Sequence, residues 1–471
     1  MAKLFCGVDF GTTNSSVAVS DGRRTRVLEL DHENDTPTSL PSLLYITRDG
    51  EHIIGRAAAN AFIERNIDRE VKLEQIDLGI AIEGYVASEP DKSEGYRPPD
   101  PVDPQTIEGV RARATVEVNA PGRLFQSLKS FLRHTGFKGT EVFGRNYQIE
   151  ELTAVILRRM KEAADAAAGE PVTNVVLGRP VLFSKDETEN AVAERRLKTA
   201  ANLAGFQNVT FFYEPVAACV EYAVTTDQNQ RLMVVDIGGG TCDVCVMEFT
   251  AAQGAMARLA ESRILAVAGV PVAGDVIDKE IIRAKLFPQF GSLSRYGPSH
   301  LPVPQFLFNT ILDWQNLYRL HTEEIINWLI AMEMSSTQPR AIRALRCLIQ
   351  RNFGYPVVRE VEAAKKRLST DLETTINIQK EAIQIHERLE RAEFAHIIER
   401  TLTTMLASIE EAEKNAGLNP DQIDYVLTTG GTSLIPAIRQ MLEERYGATR
   451  ILHRDTFTSV ATGLAIVAQY A

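Results

Sequence analysis

Residues 232–247, LMVVDIGGGTCDVCVM, predict a buried strand, a glycine turn and a second buried strand. Gly238, Gly239 and Gly240 follow the apolar run LMVV and have no Cβ to keep a ligand at a distance. Consecutive backbone N–H groups at such a turn form a concave site that favours an anion. Asp236 ends the first strand, where its carboxylate would face a cation held by that anion.

A related stretch opens the chain. Residues 4–19, LFCGVDFGTTNSSVAV, carry Asp9, Gly11, Thr12 and Thr13 at the corresponding positions. Two such units, separated by roughly half the chain, indicate a duplicated domain whose turns would clasp one polyphosphate, with both aspartates near its metal. Either turn alone could be an ordinary glycine hairpin, but an aspartate before both turns favours the phosphate site.

Composition limits the classes of ligand. The 471 residues suffice for two large domains, and 44% apolar with 24% charged residues is typical of a soluble protein. A formal net charge of -11 argues against binding to nucleic acid or to an anionic membrane. ATP remains a suitable ligand if glycine amides, a few local cations and Mg²⁺ neutralise its phosphates.

The five cysteines do not resemble a disulfide framework. Cys242 and Cys245 form a C-x-x-C motif, but positions i and i+3 of a strand face opposite sides, which argues against a metal or redox pair. A signal peptide needs an uninterrupted apolar core near the N-terminus, and Asp9 interrupts it. No apolar run approaches transmembrane length. We therefore expect a cytoplasmic protein.

Strands alternating with helices predict α/β layers. We predict an N-terminal lobe over residues 1–222, with an insertion at about 65–121. A C-terminal lobe over residues 223–471 would contain a helical insertion at about 287–356.

Apolar residues spaced by three and four predict amphipathic helices at residues 150–168, 188–204 and 393–415, each followed by a glycine. A shorter helical piece is predicted at residues 124–132. Residues 301–349 are rich in large apolar side chains and predict packed helices.

Hydrolysis of a terminal phosphate requires a metal, donors to the phosphates, a cation and a group that orients water. Asp9 and Asp236 would hold Mg²⁺ through its waters, because this ion dehydrates reluctantly. The candidate phosphate donors are Gly11, Thr12, Thr13, Gly239, Gly240 and Thr241. The candidates for positioning or activating water are Lys129, Glu214 and Asp243.

Several of these residues also have structural explanations. Lys129 alone could be a solvated helix lysine, and Glu214 could be a carboxylate favoured by a helix N-terminus. Gly430 and Gly431 lie between an apolar strand and a helix, where helix amides could meet an anion, but an ordinary tight turn explains them equally well.

Four segments together resemble the nucleotide-binding part of the seventy-kilodalton heat-shock protein family, within the superfamily of actin and sugar kinases. These segments are GVDFGTTNSSVAV (7–19), FFYEPVAACVEYA (211–223), VVDIGGGTCDV (234–244) and VLTTGGTSLIP (426–436). They occur in the family's order, and the resemblance covers essentially the whole chain. It implies an α/β, actin-like ATPase fold, a duplicated two-lobed domain with a central nucleotide cleft.

The resemblance also implies roles for single residues. Lys129 corresponds to the family's catalytic lysine, which helps to place the attacking water, and Glu214 to the glutamate near the metal waters. Asp236, Thr241 and Asp243 fall on active-site positions.

On the nucleoside side, the resemblance implies that Glu362 and Lys365 hold the ribose hydroxyls and that Ser369 lies near adenine. Further nucleotide contacts are implied for Asn14, Gly238, Gly274, Lys366, Gly430, Gly431 and Thr432. Lys366 and Leu434 stand where the family stacks adenine between two arginines, so we expect weaker ATP binding or looser selection of the base.

The chain is similar to the short YegD-like branch of the family, which lacks a peptide-binding domain. We accordingly expect a chaperone-family protein that binds Mg²⁺ and ATP and slowly hydrolyses ATP to ADP and phosphate. One alternative is a nucleotide-gated switch with little hydrolysis, which grips a protein partner through residues 301–349 around Trp314 and Trp328. Another is a small-molecule kinase with Asp243 or another carboxylate as its base.

Overall fold

The computed structural model describes residues 4–69, 71–81, 111–223, 228–250, 261–453 and 458–470. Residues 82–110, most of the predicted insertion at about 65–121, lie outside these ranges. On either side of them, residues 73–81 and 111–117 pair as antiparallel strands.

The strands follow one another in this order. In the first half they are β1 (Phe5–Phe10), β2 (Asn14–Ser20), β3 (Thr25–Val27), β4 (Leu40–Pro41), β5 (Leu43–Thr47), β6 (His52–Ile54), β7 (Leu73–Ala81), β8 (Arg111–Glu117), β9 (Gly122–Gln126), β10 (Gly139–Val142), β11 (Arg145–Gln148), β12 (Asn174–Arg179) and β13 (Asn208–Tyr213). In the second half they are β14 (Gln230–Ile237), β15 (Cys242–Phe249), β16 (Arg263–Val270), β17 (Arg295–Tyr296), β18 (Leu301–Pro302), β19 (Glu373–Lys380), β20 (Ile383–Glu390), β21 (Tyr425–Thr429) and β22 (Ile451–His453).

The α-helices are numbered in the same way. They are α1 (Gly55–Asn66), α2 (Leu128–Phe131), α3 (Ile149–Ala168), α4 (Glu187–Ala204), α5 (Glu214–Ala223), α6 (Gly274–Ile281), α7 (Gln305–Leu312), α8 (Glu323–Ser335), α9 (Pro339–Gln350), α10 (Gly354–Arg367), α11 (Arg391–Ile397), α12 (Glu399–Ala416), α13 (Pro436–Tyr446) and α14 (Ser459–Val467). A π-helical turn, Ile282–Leu286, continues α6, and a 3₁₀ helix, Trp314–Leu320, follows α7.

Two sheets share one topology, which confirms the predicted duplication. The first has the order β3-β2-β1-β12-β13, and the second has the order β16-β15-β14-β21-β22. In each sheet the three strands that come first in the chain are antiparallel, and the last two continue parallel to the central strand. The two glycine turns occupy equivalent places, since one joins β1 to β2 and the other joins β14 to β15.

Helices α5 and α14 form a layer between the sheets. Ala217 of α5 and Leu464 of α14 share one apolar core with Leu232 of β14 and Leu427 of β21. The opposite face of the first sheet is covered by α3 and α4, whose apolar stripes share a second core with β1 and β2. These layers are those of an α/β domain with the glycine turns at one edge of each sheet.

The last helix packs closely against the first half of the chain. A Cβ added to Gly463 would lie 1.8 Å from the carbonyl oxygen of Ala217, and one added to Gly7 would lie 2.2 Å from the backbone nitrogen of Ala465. Only glycine permits so close an approach at either position. The division into lobes at residue 222 stays a prediction, but α14 contacts the first sheet as well as the second.

Most of the predicted helices are present. Helices α3, α4 and α12 end at Gly169, Gly205 and Gly417, each in the left-handed region with φ of 72°, 109° and 67°. The predicted packed helices of residues 301–349 are confirmed as α7, the 3₁₀ helix, α8 and α9.

Two predicted helices are wrong in part. The first three residues of the expected helical piece at 124–132 belong to strand β9, because Leu124 and Phe125 pair with β5, and the helix α2 begins only at Leu128. The expected helix at 393–415 is broken at Ile398, whose ψ of 7° separates α11 from α12. This break lets α11 pack on β20 while α12 packs on β15 and β16.

The sequence reasoning missed the hairpin of β19 and β20. Ile376, Ile378, Ile383 and Ile385 are buried and alternate with polar residues, so the period of two was the signal that could have revealed it.

All five cysteines are free and buried. Cys242 and Cys245 belong to different cores on opposite sides of the second sheet, as their spacing predicted. Across the ranges that the structure describes, no helix is both long and apolar enough to cross a bilayer.

The packing of α14 predicts the effect of one added methyl group. In an isolated helix Gly463→Ala would be stabilising by about 1 kcal/mol. Because the new Cβ would meet the Ala217 carbonyl, we expect the free energy of unfolding to fall by about 2 kcal/mol instead. Urea denaturation followed by circular dichroism measures this change.

Gly136→Ala is the matched control, since a Cβ there would meet no atom within 4 Å. Unchanged stability of Gly463→Ala would show that α14 is not packed in this way.

Candidate functional site

The two glycine turns lie against each other. A Cβ added to Gly239 would lie 2.0 Å from Oγ1 of Thr13. One added to Gly240 would lie 2.9 Å from Oγ1 of Thr12 and 3.3 Å from Oγ of Ser130. Any side chain on either glycine would therefore fill the space between the turns.

Ser42 fixes the first turn from behind. Its N–H donates to the carbonyl of Thr13 at 2.8 Å, and its hydroxyl donates to the carbonyl of Gly11 at 2.8 Å. In a trans peptide the N–H points away from the carbonyl, so tying down the Gly11 oxygen turns the Thr12 N–H in the opposite direction. The sequence reasoning missed Ser42, which lies 31 residues away from Gly11.

Other backbone contacts fix the second turn. The carbonyl of Gly238 accepts from Oγ1 of Thr432 at 2.7 Å and from the N–H of Gly274 at 3.2 Å. The carbonyl of Gly239 accepts from the N–H of Asp275 at 2.8 Å. By the same geometry the N–H groups of Gly239 and Gly240 are turned away from these contacts. The Thr432 hydroxyl thus orients the turn, and its contact with a nucleotide stays a prediction.

Gly430 is required by the packing of the protein chain. Its φ is +79°, and an added Cβ would lie 2.3 Å from the carbonyl oxygen of Ile237 and 2.8 Å from Oδ1 of Asp236. The atoms that come close to Gly430 therefore belong to the second turn and not to a ligand. This contact sets Gly431 and the start of α13 beside Asp236.

A buried ion pair lies at the base of the cleft. Nζ of Lys129, on α2, lies 2.7 Å from Oε1 of Glu214, the first residue of α5, and both side chains are only 7% exposed. Burial lowers the pKa of Lys129, but the charges of Glu214 and Asp9 outweigh this effect and raise it. Lys129 is thus a charged, buried lysine and not a solvated helix residue.

Three aspartates complete this centre. Burial, followed by the charge of Glu214, raises the pKa of Asp9 to about 7 against the opposing effect of Lys129. Burial and the charges of Glu214 and Asp243 raise the pKa of Asp236 well above its usual range. The pKa of Asp243 is raised to about 7, mainly by burial, although it accepts from the Thr241 hydroxyl.

The charges of this centre fit a divalent cation. Four carboxylates, those of Asp9, Glu214, Asp236 and Asp243, surround a single ammonium, and added positive charge would relieve their repulsion. No three carboxylate, imidazole or thiol groups of the described residues converge as direct metal ligands.

The nucleoside candidates lie on α10, beside the second turn. Nζ of Lys365 donates to Oδ2 of Asp278 at 2.7 Å and to the carbonyl of Gly274 at 3.2 Å. Glu362 lies one helical turn before Lys365, and its pKa is raised by burial and by the charge of Asp278. The structure thus joins Glu362, Lys365 and Gly274 in one wall of the cleft.

The remaining predicted residues lie around this wall or at the first turn. Lys366 is exposed on α10, Ser369 is half-buried just beyond the end of that helix, and Leu434 is exposed in the turn before α13. Asn14 begins β2 immediately after the first turn.

A separate groove of about 440 Å³ contains none of the predicted nucleotide-site residues. It is lined by Val71, Leu73, Glu74, His321, Thr322, Glu323, Ile326 and Gln350.

Comparison with known proteins identifies the family of this chain. The family model described as Hsp70 protein matches residues 132–263 and 350–470, more than half of the chain. The matched ranges contain Glu214, the second turn and α10, while Lys129 and the first turn lie outside them.

Two similar proteins are the chaperone protein DnaK of two strains of Thermus thermophilus, each 28% identical over 479 aligned positions. The alignments cover 99% of this chain and 61% of each relative, so the chain spans about three fifths of their length.

The carboxylate cluster predicts a pH-dependent cost in stability when Mg²⁺ is absent. The pKa of Asp243 is about 7 in the folded protein and about 4 in the unfolded chain, so the folded state binds the extra proton. The free energy of unfolding therefore falls as pH rises from about 4 to about 7. We expect Asp243→Asn, which removes this charge, to stabilise the protein by roughly 2 kcal/mol at pH 8 and by much less at pH 5.

Chemical denaturation in EDTA at both pH values measures this difference. Asp49→Asn, at an exposed site, is the control. A variant that is less stable than the wild type at both pH values would contradict the prediction.

Proposed function

This chain belongs to the Hsp70 protein family, and from that premise we propose that it binds ATP with Mg²⁺ between its two sheets and slowly hydrolyses it to ADP and phosphate. The observation that carries the proposal is the pair of glycine turns in contact distance across one cleft, with the Lys129–Glu214 pair beside them.

The phosphates would bind to backbone donors of both turns. Hydrogen bonds within the protein hold the carbonyls of Gly11, Gly238 and Gly239. The N–H group of each following residue therefore points away from these bonds and is free to bind a phosphate. Such preorganised donors stabilise phosphate charge without rearranging during the reaction. Bound Mg²⁺ would supply the positive charge that offsets the negative charge of the outer phosphates, with its waters held by Asp9 and Asp236.

The attacking water would be placed by Lys129 and Asp243. The Lys129 ammonium donates one hydrogen to Glu214 and has two others for a water or a phosphate oxygen. Oδ1 of Asp243 accepts from the N–H of Val181 at 3.0 Å, which fixes the carboxylate. A pKa of about 7 lets this carboxylate accept a proton from water near neutral pH.

We also propose a chaperone-family role and a cellular compartment for the protein. The DnaK relatives are named as chaperone proteins, and this name supports a chaperone-family role for the chain. The free, buried cysteines favour a reducing compartment, for which we propose the cytoplasm.

One observation favours the alternative of a nucleotide-gated binding switch. Phe306 and Met334, on α7 and α8, are 48% and 85% exposed, and the Phe306 ring stacks on Trp328 at 6.2 Å with an interplanar angle of 10°. An exposed ring that stacks on a tryptophan, with a second exposed apolar side chain in the same helical insertion, is typical of a protein interface. Trp314, by contrast, is buried against Phe62 of α1, so a partner would meet Trp328 rather than Trp314.

Removal of the buried ammonium tests hydrolysis. In Lys129→Ala we expect phosphate release to fall at least about a hundredfold, because the water loses its positioning donor. ATP binding should weaken much less. Single-turnover phosphate release and calorimetric titration measure the two effects, and circular dichroism checks the fold.

Lys198→Ala, an exposed change on α4, is the control. Wild-type turnover in a folded Lys129→Ala protein would remove Lys129 from the mechanism. Absence of ATP binding and of phosphate release in the wild type would reject the proposed function.

The switch alternative predicts a nucleotide-dependent partner. Protein captured by the chain should differ between ATP and ADP, and Met334→Asp should abolish the capture without changing phosphate release. Leu372→Asp is the matched control, because Leu372 is 74% exposed but lies outside the helical insertion. Capture that is the same with either nucleotide, or that survives Met334→Asp, would reject this surface.

A further inference from the structure

Two cysteine thiols meet in the layer between the sheets. Cys219 on α5 and Cys245 on β15 are fully buried in the core that α5 and α14 share with the second sheet. Their side chains are hydrogen-bonded to each other. Cys242, the other cysteine of the C-x-x-C motif, belongs to a different core on the opposite side of that sheet. The thiol that lies beside Cys245 is therefore that of Cys219 and not that of its neighbour in the motif.

This pair joins two elements of the candidate nucleotide site. Helix α5 begins with Glu214, whose carboxylate is paired with Lys129, and strand β15 carries Asp243. Because α5 packs against β15, a covalent bond between the two thiols would tie these elements together. Neither thiol takes part in the proposed hydrolysis.

Burial makes the pair unreactive while the layer is closed. The nucleophile in the reactions of cysteine is the thiolate and not the thiol. Burial, and after it the hydrogen bond with Cys245, raises the pKa of Cys219 well above its usual range. The thiols therefore react only when α5 moves far enough from β15 to admit water and a small oxidant.

The contact between the two sulfur atoms favours a disulfide once an oxidant enters. The sulfur atoms of a disulfide are about 2 Å apart, which is closer than in a hydrogen bond, so a small further approach is needed. The other three cysteines belong to two different cores and do not compete for either thiol. They are Cys6, Cys242 and Cys347.

We propose that Cys219 and Cys245 form a disulfide when the protein meets hydrogen peroxide, and that this bond ties α5 to β15 as a redox-sensitive lock on the layer between the sheets. In a reducing compartment the bond persists only while the oxidant is present. The inference does not depend on the binding of ATP, because both thiols belong to the layer of the unliganded protein.

The oxidation proceeds in two balanced steps. One cysteine loses its proton, and its thiolate attacks an oxygen of hydrogen peroxide. The O–O bond breaks, which gives a sulfenic acid and a hydroxide ion, and the hydroxide takes up the released proton to form water. The sulfur of the second cysteine then attacks the sulfenic sulfur, the S–O bond breaks, and a second water leaves with the second thiol proton. The two sulfur atoms lose two electrons, which reduce the peroxide to two waters.

Treatment of the full chain with hydrogen peroxide tests the proposal. The remaining thiols are blocked with N-ethylmaleimide, and the protein is digested without reduction and studied by mass spectrometry. We expect the main linked peptide to join Cys219 to Cys245, and dithiothreitol to remove it. The link should form faster in urea at a concentration just below the unfolding transition, because the layer then opens more often. We also expect the oxidised protein to melt about 5 °C higher, because the bond constrains the unfolded chain.

Single cysteine variants separate this pair from the other thiols. Cys219→Ala and Cys245→Ala should each remove both the linked peptide and the rise in melting temperature. Cys347→Ala is the matched control, since Cys347 is also buried, with 6% of its surface exposed, but lies in another core. It should keep both effects.

Several results would overturn the proposal. They are the absence of the linked peptide, a disulfide that joins Cys242 to Cys245 instead, and a link that forms only after complete unfolding in urea. In the last case the contact within the folded layer would play no part in the reaction. A protein that forms the disulfide but does not bind ATP would reject the proposed function and leave this inference intact.

Discussion

The two glycine turns can share one ligand only because two helices hold their sheets at a fixed separation. Helices α5 and α14 fill the layer between the sheets, and the closest backbone contacts of that layer are made at Gly7 and Gly463. A side chain at Gly7 would push α14 away from the first sheet, and one at Gly463 would push α14 away from α5. A shift of about 1 Å is enough to misplace a reacting group. The same helix α5 begins with Glu214, so the element that spaces the sheets also brings a carboxylate to Lys129.

This arrangement places several buried carboxylates together, which does not stabilise the protein in the absence of a ligand. Asp9, Asp236 and Asp243 all have raised pKa values, which means that burial and mutual repulsion disfavour their charged forms. Lys129 offsets only part of that repulsion. A cluster that lowers stability in the empty protein is typical of a functional site, because the stabilising partner arrives with the ligand. The electrostatics thus favour a cation-bound ligand independently of the resemblance to a known family.

Sequence patterns predicted the parts of this site that are local. A strand, a glycine turn and a second strand lie within sixteen residues, and backbone preferences alone indicate them. The contacts that orient the turns join distant residues: Ser42 lies 31 positions from Gly11, and Thr432 lies 194 positions from Gly238. The hydrophobic periodicity of a sequence does not predict contacts between such distant residues. Their identity depends on how the sheets and helices pack, as does the break of the predicted helix at Ile398.

One residue links the two ends of the candidate nucleotide site. Gly274 donates its N–H to the second turn and accepts from Lys365 through its carbonyl, and a Cβ added to it would lie 2.6 Å from Oγ1 of Thr432. A ligand that pulls Lys365 toward its sugar would therefore also act on the residue that holds the Gly238 carbonyl. Because that carbonyl sets the direction of the Gly239 N–H, the position of Lys365 and the orientation of the candidate phosphate donors depend on the same residue. A nucleoside without phosphates would engage one end of this connection, and inorganic phosphate would engage the other, whereas only an intact nucleotide would hold both.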